Sequence, residues 1–280
     1  MITESTLSSF IASDGQNLAV QDWLPTHGEA VRGVVLIVHG LGEHVGRYDA
    51  LANRLNAWGF AVRGYDQYGH GDSAGVRGGL PTDTRLLDDL ADVVDDTRGR
   101  MATDVPLILL GHSLGGLVAA RLVSLQMRTI DALVLSSPAL DAGMNALQKF
   151  LVTVLPRLLP DLRVGNGLNP TFLSHDPEVV RAYKADRLVH DRISARLARF
   201  IADAGPATLA LAPNWTVPTL LLYAGDDHLV SPAGSRRFAK AAPKQVVSSI
   251  CFENLYHEIF NEADAAPVFA TLRRWLDQRF

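Results

Sequence analysis

The sequence has a single cysteine, no excess of basic residues and no long hydrophobic run, and each absence narrows what the protein can be. One cysteine, Cys251, cannot form an internal disulfide, so no disulfide framework holds the 280 residues together. Lys and Arg number 26 and Asp and Glu number 30, which excludes the broad basic surface typical of nucleic-acid-binding proteins. No apolar run reaches the roughly 18 residues that a transmembrane helix requires.

The N-terminal segment MITESTLSSFIASDG lacks the features of a leader sequence. It has no basic start and no continuous apolar stretch, so we expect no signal peptide. We therefore predict a soluble, cytoplasmic protein, and peripheral contact with a membrane surface stays open.

Apolar runs of strand length alternate with helical patterns along most of the chain. The run GVVLIVHG, residues 33–40, is typical of a strand buried on both faces of a parallel sheet. Similar runs occur in the segments FAVRGYD, PLILLG, DALVLSS, TLLLYAG and VSSICFE. This order predicts an α/β fold, with a mostly parallel central sheet and helices on both faces.

One region, residues 138–216, breaks this alternation because it contains no clear strand pattern. Apolar residues recur at helical spacing between Leu147 and Leu162. Two prolines in this stretch, Pro156 and Pro160, predict short or kinked helices. A packed helix of the ordinary core would show the same apolar spacing.

Two further helical stretches are predicted in this region, at 177–188 and 193–204. We interpret residues 141–205 as a helical cap that is inserted into an α/β core domain. The core then consists of residues 1–140 and 206–280.

The pentapeptide GHSLG, residues 111–115, has the form G-x-S-x-G between a predicted strand and a predicted helix. Side chains two positions before and after the serine would collide in so sharp a turn, and both positions hold glycine. The turn presents the Ser113 hydroxyl at a helix N-terminus, where backbone N–H groups favour negative charge. The pattern predicts a nucleophile, and the alternative is a glycine-rich turn with a helix-capping serine.

A nucleophilic serine needs a base, and in folds of this type the acid and the histidine follow the serine in chain order. Four histidines follow Ser113, and His257 is the one placed after the last predicted strand. We therefore assign His257 as the base. Two adjacent residues after the strand TLLLYAG, Asp226 and Asp227, are candidates for the acid, and spacing alone does not distinguish them.

Two backbone N–H groups are expected to bind the oxyanion. One belongs to Leu114, directly after the nucleophile, and the other to Leu41 in the loop of residues 39–42, here called the oxyanion loop. The segment HEIFN resembles part of a zinc-binding H-E-x-x-H motif, but Asn261 replaces its second histidine. We expect no metal and no cofactor.

At these residues the sequence resembles the α/β-hydrolase superfamily, and within it the monoacylglycerol lipase and lysophospholipase group of serine hydrolases. The resemblance covers nearly the whole chain. It is carried by the segments HGLGEHVGRY, YDQYGHGDSAGVRG, GHSLGG, DPEVVRAYKADRLVH and YHEIFNE.

The resemblance favours Asp227 as the acid, because the group's D-x-x-V pattern fits residues 227–230. Two departures are Gly225, which lies two residues before Asp227 instead of three, and Arg187, where the cap motif usually has proline. The resemblance also implies that Glu43, Arg47 and Tyr183 bind the substrate near the polar end of the pocket. The alternative for Glu43 and Arg47 is scaffold hydrogen bonding around the oxyanion loop.

Together these features predict a serine hydrolase that cleaves carboxylic esters of lipids through an acyl-enzyme. The substrate that we favour is a monoacylglycerol, cleaved to a fatty acid and glycerol. Alternatives are a lysophospholipase or a general carboxylesterase, and beyond these a serine peptidase or a non-catalytic binding protein. Transient membrane contact through the cap is compatible with the sequence, nucleic-acid binding is not expected, and the oligomeric state stays open.

Overall fold

The computed structural model describes residues 4–25 and 31–280, and its centre is an eight-stranded sheet. A separate pair of short strands lies in the predicted cap region. The strands are β1 (Thr6–Ile11), β2 (Asn17–Trp23), β3 (Gly33–Val38), β4 (Phe60–Tyr65), β5 (Leu107–His112), β6 (Ala132–Ser136), β7 (Arg163–Gly165), β8 (Arg192–Ser194), β9 (Thr219–Ala224) and β10 (Val247–Phe252).

Eight α-helices accompany the strands in the described part of the chain. They are α1 (Asp49–Ala57), α2 (Arg85–Arg100), α3 (Ser113–Ser124), α4 (Ala146–Leu158), α5 (Pro177–Ala185), α6 (Ala195–Leu211), α7 (Pro232–Ala241) and α8 (Ala266–Asp277).

The large sheet has the strand order β1-β2-β4-β3-β5-β6-β9-β10. From β4 to β10 all neighbours are parallel, and the antiparallel pairs of this sheet are β1–β2 and β2–β4. Every residue of β3, β5 and β9 is buried, as their continuous apolar runs require. The prediction of a mostly parallel sheet is confirmed.

Helices cover both faces of the sheet, as predicted, because successive residues of each strand point to opposite sides. On β3, Val34, Leu36 and Val38 join the core beneath α2, α3, α6 and α7. Val35 and Ile37 join the core beneath α1 and α8. The two cores fix the sheet between two helical layers.

The region between β6 and β9 contains α4, α5 and α6, close to the three predicted helices. The expectation that it holds no strand is wrong, since β7 and β8 form a small antiparallel pair. Helix α6 also runs on to Leu211 and so crosses residue 205, where we placed the cap boundary. It packs against α3, so a tertiary contact rather than the Gly205-Pro206 pair decides its length.

Helix α4 does not belong to the core, because none of its described side chains is buried. Leu147, Phe150 and Leu158 are more than 60% exposed, whereas Leu151, Val152 and Leu155 line a cavity. The alternative of an ordinary core helix is therefore wrong. None of the described helices is long and apolar enough to cross a membrane.

Candidate active site

Four loops meet at the carboxyl edge of the sheet, because parallel strands present their carboxyl ends on the same side. The oxyanion loop follows β3, and Ser113 follows β5 directly. Asp227 lies after β9, and His257 lies in the loop of residues 255–262 after β10, here called the histidine loop. The fold thus brings the predicted residues to one edge.

Ser113 has a backbone φ of +52°, which non-glycine residues rarely adopt. The turn is tight enough that a Cβ on Gly115 would lie 2.0 Å from the Val38 carbonyl oxygen. A Cβ on Gly111 would lie 2.6 Å from the Gly115 carbonyl oxygen. The structure therefore gives the physical reason for glycine at both positions and for a strained serine between them.

The imidazole of His257 contacts Asp227, with 2.6 Å between Nδ1 and Oδ2, and both side chains are almost fully buried. Asp227 Oδ1 accepts hydrogen bonds from the backbone N–H groups of Leu229 and Val230, each at 2.9 Å. Asp226 instead points outwards and pairs with His228. Of the two adjacent carboxylates, the structure brings only Asp227 to the histidine.

The two side chains shift each other's pKa values in opposite directions. Burial alone would lower the pKa of His257, but the carboxylate of Asp227 outweighs it and raises the pKa above 6.5. Burial would likewise raise the pKa of Asp227, and the contact with His257 lowers it. The pair can orient the imidazole and stabilise its protonated form.

A second buried imidazole, that of His112, packs against His257 with 4.7 Å between the ring centroids. Burial and the neighbouring His257 lower the pKa of His112 to about 4, so its ring is neutral near pH 7. Its Nδ1 lies 3.1 Å from Ser136 Oγ. Sequence reasoning missed this neighbour, although it directly precedes the serine.

The oxyanion loop is held by hydrogen bonds to its own backbone. The N–H of Gly40 donates to Glu43 Oε1 at 2.6 Å. His39 Nε2 accepts from the N–H of Gln67, so its Nδ1 carries the proton and donates to the Gly40 carbonyl oxygen at 2.7 Å. These contacts fix both backbone groups of Gly40, directly before Leu41.

The two predicted oxyanion donors lie beside the serine. Leu41 and Leu114 both line the large cavity that Ser113 opens into. The N–H of Leu114 lies in the first turn of α3, where backbone donors have no intrahelical acceptor. Both residues thus lie beside the nucleophile, and their role as oxyanion donors stays a prediction.

The three predicted substrate-binding residues form one cluster, in which Glu43 is buried and Arg47 and Tyr183 are half-buried. The Arg47 guanidinium contacts Glu43 and makes a bidentate pair with Glu258 at 2.7 and 2.8 Å. It also lies 4.7 Å from the ring centroid of Tyr183. Burial would raise the pKa of Glu43, but Arg47 lowers it to about 2, so this carboxylate is ionised.

Within this cluster, Glu43 and Arg47 form their hydrogen bonds and ion pairs with other residues of the protein. In addition to its contacts with the N–H of Gly40 and with Arg47, the Glu43 carboxylate accepts a hydrogen bond from the Tyr48 hydroxyl at 2.7 Å. Sequence reasoning missed Glu258, which links the histidine loop to the oxyanion loop. Its partner Arg47 is 211 residues away in the chain, so no local pattern could have revealed the pair.

Two cavities of different character meet at Ser113. The larger measures about 630 Å³ and is lined mainly by apolar side chains of α4, α6 and the loops between them. The smaller measures about 40 Å³ and is lined by Glu43, His112, Tyr183, His257 and Glu258, together with apolar neighbours. The site can therefore take an apolar chain on one side and a small polar group on the other.

The side chains that could bind a metal ion are dispersed over the described part of the chain. Within residues 4–25 and 31–280, no three His, Cys, Asp or Glu side chains are grouped as a metal ion would require.

Comparison with known proteins gives a family and several relatives. The family model described as serine aminopeptidase, S33 (Hydrolase_4) matches residues 29–264. A monoacylglycerol lipase of Mycolicibacterium smegmatis is 35% identical over 277 residues, which are 96% of this chain and 95% of that protein. Phospholipase YtpA of Bacillus subtilis is 32% identical over 249 residues, with 88% and 95% covered.

One relative is much longer than this chain. An uncharacterized abhydrolase domain-containing protein of Dictyostelium discoideum is 31% identical over 282 residues, and the chain spans 29% of its length. Among solved structures, the monoacylglycerol lipase of Paleococcus ferrophilus is 34% identical with a TM-score of 0.83. The match covers 95% of this chain and 99% of that one.

Proposed function

The chain belongs to the serine aminopeptidase S33 family of α/β-hydrolases and is a carboxylic ester hydrolase, and we propose that its substrate is a monoacylglycerol. The observation that carries this proposal is the pair of cavities at Ser113, one large and mainly apolar and one small with polar groups in its lining. An ester with one acyl chain and a small neutral alcohol fits both.

In the proposed mechanism, His257 takes the proton of the Ser113 hydroxyl as the oxygen attacks the ester carbonyl. Asp227 holds the imidazole and stabilises its charged form, as their 2.6 Å contact supports. The protonated His257 then gives its proton to the leaving alcohol, and an acyl-enzyme remains. Water, deprotonated by His257, attacks this acyl ester and releases the fatty acid and Ser113.

The N–H groups of Leu41 and Leu114 stabilise the negative charge on the carbonyl oxygen in both steps. In this account Glu43 acts on the oxyanion loop, because its carboxylate binds the N–H of Gly40 next to Leu41. Arg47 connects that carboxylate to Glu258, directly after the base. Glu43 and Arg47 then shape the polar end of the pocket, where Tyr183 faces the substrate.

The charge of the small cavity favours a neutral alcohol over a phosphate. Two carboxyl side chains, Glu43 and Glu258, face the single guanidinium of Arg47, and His112 is neutral near pH 7. An anionic phosphate beside these carboxylates would be repelled in a water-poor site. Glycerol carries no charge and can hydrogen-bond to the same groups.

The test is a panel of substrates with one acyl chain and different heads. We expect kcat/KM for a 1-monoacylglycerol to exceed that for the matched lysophosphatidic acid or lysophosphatidylcholine by at least about tenfold. A p-nitrophenyl ester of the same acid serves as a head-group-free control. Equal or greater rates on the lysophospholipids would overturn the monoacylglycerol assignment and favour a lysophospholipase.

The family's description raises a peptidase as the second candidate. An aminopeptidase needs a free carboxylate for the substrate's amino group. The carboxylates that line the small cavity, Glu43 and Glu258, are engaged by Arg47. We therefore expect no turnover of an aminoacyl-proline amide under conditions in which the esters are cleaved.

We also propose that residues 141–205 act as a cap that covers the acyl cavity and touches lipid surfaces. Its exposed apolar side chains support this role, and Leu147, Phe150 and Leu158 are the most exposed on α4. The cytoplasmic location expected from the sequence stays a prediction.

Binding to vesicles tests the membrane contact of the cap. The triple change of Leu147, Phe150 and Leu158 to Ser should lower the fraction of protein that sediments with phospholipid vesicles. Leu125→Ser, an exposed apolar position of the core domain, is the matched control. Equal sedimentation of all three proteins would contradict the contact.

A further inference from the structure

The histidine loop is bound to a segment of the predicted cap. The N–H of Glu258 donates to the Leu173 carbonyl oxygen at 2.8 Å, and the N–H of His257 donates to that of Phe172 at 3.4 Å. Residues 172–176 are here called the anchor segment. The loop that carries the base is therefore paired with the anchor segment along its backbone.

Glu262 lies at the centre of this contact, and its side chain is only 1% exposed. Oε1 accepts from the N–H of Tyr256 at 2.6 Å and faces His175 Nδ1 at 2.8 Å. Oε2 accepts from the N–H of His175 at 2.9 Å and from Ser174 Oγ at 3.2 Å. One carboxylate thus joins donors of the anchor segment to the residue directly before His257.

These donors keep the Glu262 carboxylate ionised. Burial would raise its pKa, but the backbone N–H groups of Tyr256 and His175 lower it below the ordinary value. A charged acceptor forms stronger hydrogen bonds than a neutral one. The contact is therefore a strong one between two loops that have no strand or helix pairing of their own.

Aromatic rings extend the same contact to the loop of the acid. The His175 ring stacks on Tyr256, with 3.6 Å between centroids, and the Phe172 ring stacks on His228 at 4.4 Å. His228 directly follows Asp227. The anchor segment thus touches the loops of both members of the acid–base pair.

From this arrangement we infer that Glu262 is a positioning residue for ester hydrolysis, which locks the histidine loop to the anchor segment and so keeps His257 on Asp227. The inference rests on the proposed roles of these two residues. General base catalysis requires the imidazole to stay within a fraction of an ångström of its place, and an irregular loop needs outside contacts for that.

The substitution Glu262→Gln tests this inference. The amide has the same shape but no charge, and its NH₂ would face N–H donors. We expect kcat per active site, titrated with a fluorophosphonate, to fall about tenfold to a hundredfold on a short p-nitrophenyl ester, with KM unchanged. Glu253→Gln, a carboxylate that is 70% exposed, should leave kcat unchanged.

A second readout needs no substrate and separates positioning from folding. The NMR titration of His257 in the wild type should give a pKa above 6.5, and a looser contact with Asp227 should lower it by about half a unit or more. The other titratable groups that face His257 are Glu258, Glu43 and the neutral His112.

Ser174→Ala removes one donor and keeps the Glu262 charge, so it separates positioning from a direct charge effect. It should shift the His257 pKa in the same direction by a smaller amount, and it serves alone if Glu262→Gln does not fold. An unchanged His257 pKa in the folded variants would overturn the inference. If the wild type cleaves no ester, the proposed function fails, and the titration still tests the role of Glu262.

Discussion

Asp226 and Asp227 are neighbours in the chain but meet opposite surroundings in the fold. The side chain of Asp226 is 51% exposed and pairs with His228, whereas that of Asp227 is 3% exposed and binds His257. Charge in water-poor surroundings acts strongly on a neighbouring imidazole, and charge in water is screened. The two carboxylates should therefore differ sharply in their effect on catalysis.

The change Asp227→Asn should lower kcat/KM for a monoacylglycerol by about 10³- to 10⁴-fold, because the amide cannot hold the imidazole in the required tautomer. Asp226→Asn should leave it within about twofold. Initial rates of the two variants at pH 7 check the expectation. Similar losses in both variants would remove Asp227 from its assigned role.

Site residues that a short motif or their order in the chain identifies were predictable from the sequence, and contacts between distant residues were not. Ser113 and His257 are predicted by a motif and by chain order, and both lie at the carboxyl edge. The links that hold them, Arg47–Glu258 and His175–Glu262, join residues 211 and 87 positions apart. Only the folded chain brings such partners together, so no sequence pattern revealed them.

At the scale of elements, the turn between β5 and α3 decides whether a nucleophile can form. Its glycines leave no room for a side chain, as the 2.0 Å approach of a Gly115 Cβ to the Val38 carbonyl oxygen shows. Any side chain there must displace the backbone of β3 or of the turn. Some other glycines are equally confined, such as Gly78, where a Cβ would lie 2.1 Å from the Arg192 carbonyl oxygen, whereas Gly99 is open.

Gly115→Ala should cost about 1–3 kcal/mol in the free energy of unfolding and abolish labelling of Ser113 by a fluorophosphonate. The matched control is Gly99→Ala in α2, where a Cβ meets no atom within 4 Å. It should gain about 0.5 kcal/mol, because alanine favours the helix. Urea unfolding and labelling gels measure both effects, and normal labelling of Gly115→Ala would contradict this account of the turn.

Helix α6 forms one wall of the large cavity, so a substitution in α6 can test whether this cavity holds the acyl chain of the substrate. Ala198→Phe should lower kcat/KM for C16 and C18 esters at least about tenfold, because the ring occupies space that their methylenes need. Esters of C4 should be unaffected. The same change at the exposed Ala210 of α6 is the control. Uniform loss at every chain length would show that the cavity does not hold the acyl group.

The elements themselves were largely predictable, because long buried strands and amphipathic helices carry clear periods. The pair β7–β8 was missed, because strands of three residues are too short to show an alternation of apolar and polar residues. The end of α6 at Leu211 was missed because packing against α3 carries the helix through Pro206. The cap boundaries of 141 and 205 stay a prediction.

At the scale of the whole molecule, buried histidines couple stability to pH. Burial lowers the pKa of His39 and His70, and it lowers those of His112 and His190 to about 4. The unfolded chain binds these protons near the ordinary value of 6.5, so the stability that neutral histidines provide is present above pH 6.5. It is lost as the pH falls from 6.5 towards 4.

Three groups act in the opposite direction, and one of them is His257, whose pKa the contact with Asp227 raises above 6.5. Burial raises the pKa of Asp22, and it raises that of Asp89 to about 6, so the native state binds these protons first and gains stability as the pH falls. Four histidines with lowered pKa values oppose two carboxylates and His257, and the net change should be a loss of stability. The contribution of the fully buried His112 is about 1.4 kcal/mol per pH unit.

Urea unfolding at pH 7 and pH 5 should therefore give a lower free energy of unfolding at pH 5. His190→Asn keeps an acceptor for the N–H of Arg192 and removes the titrating ring. The difference in the free energy of unfolding between pH 7 and pH 5 should therefore shrink. His228→Asn, on an exposed histidine, should leave it unchanged. Equal stability of the wild type at both pH values would contradict the coupling.

The central claim is that Ser113 hydrolyses the ester of a neutral, single-chain lipid. The most direct test measures release of free fatty acid from one long-chain monoacylglycerol by the wild type and by Ser113→Ala. We expect rapid release by the wild type and a loss of about 10³-fold or more in the variant. Equal rates in the two proteins, or no release by a folded wild type that cleaves other esters, would contradict it.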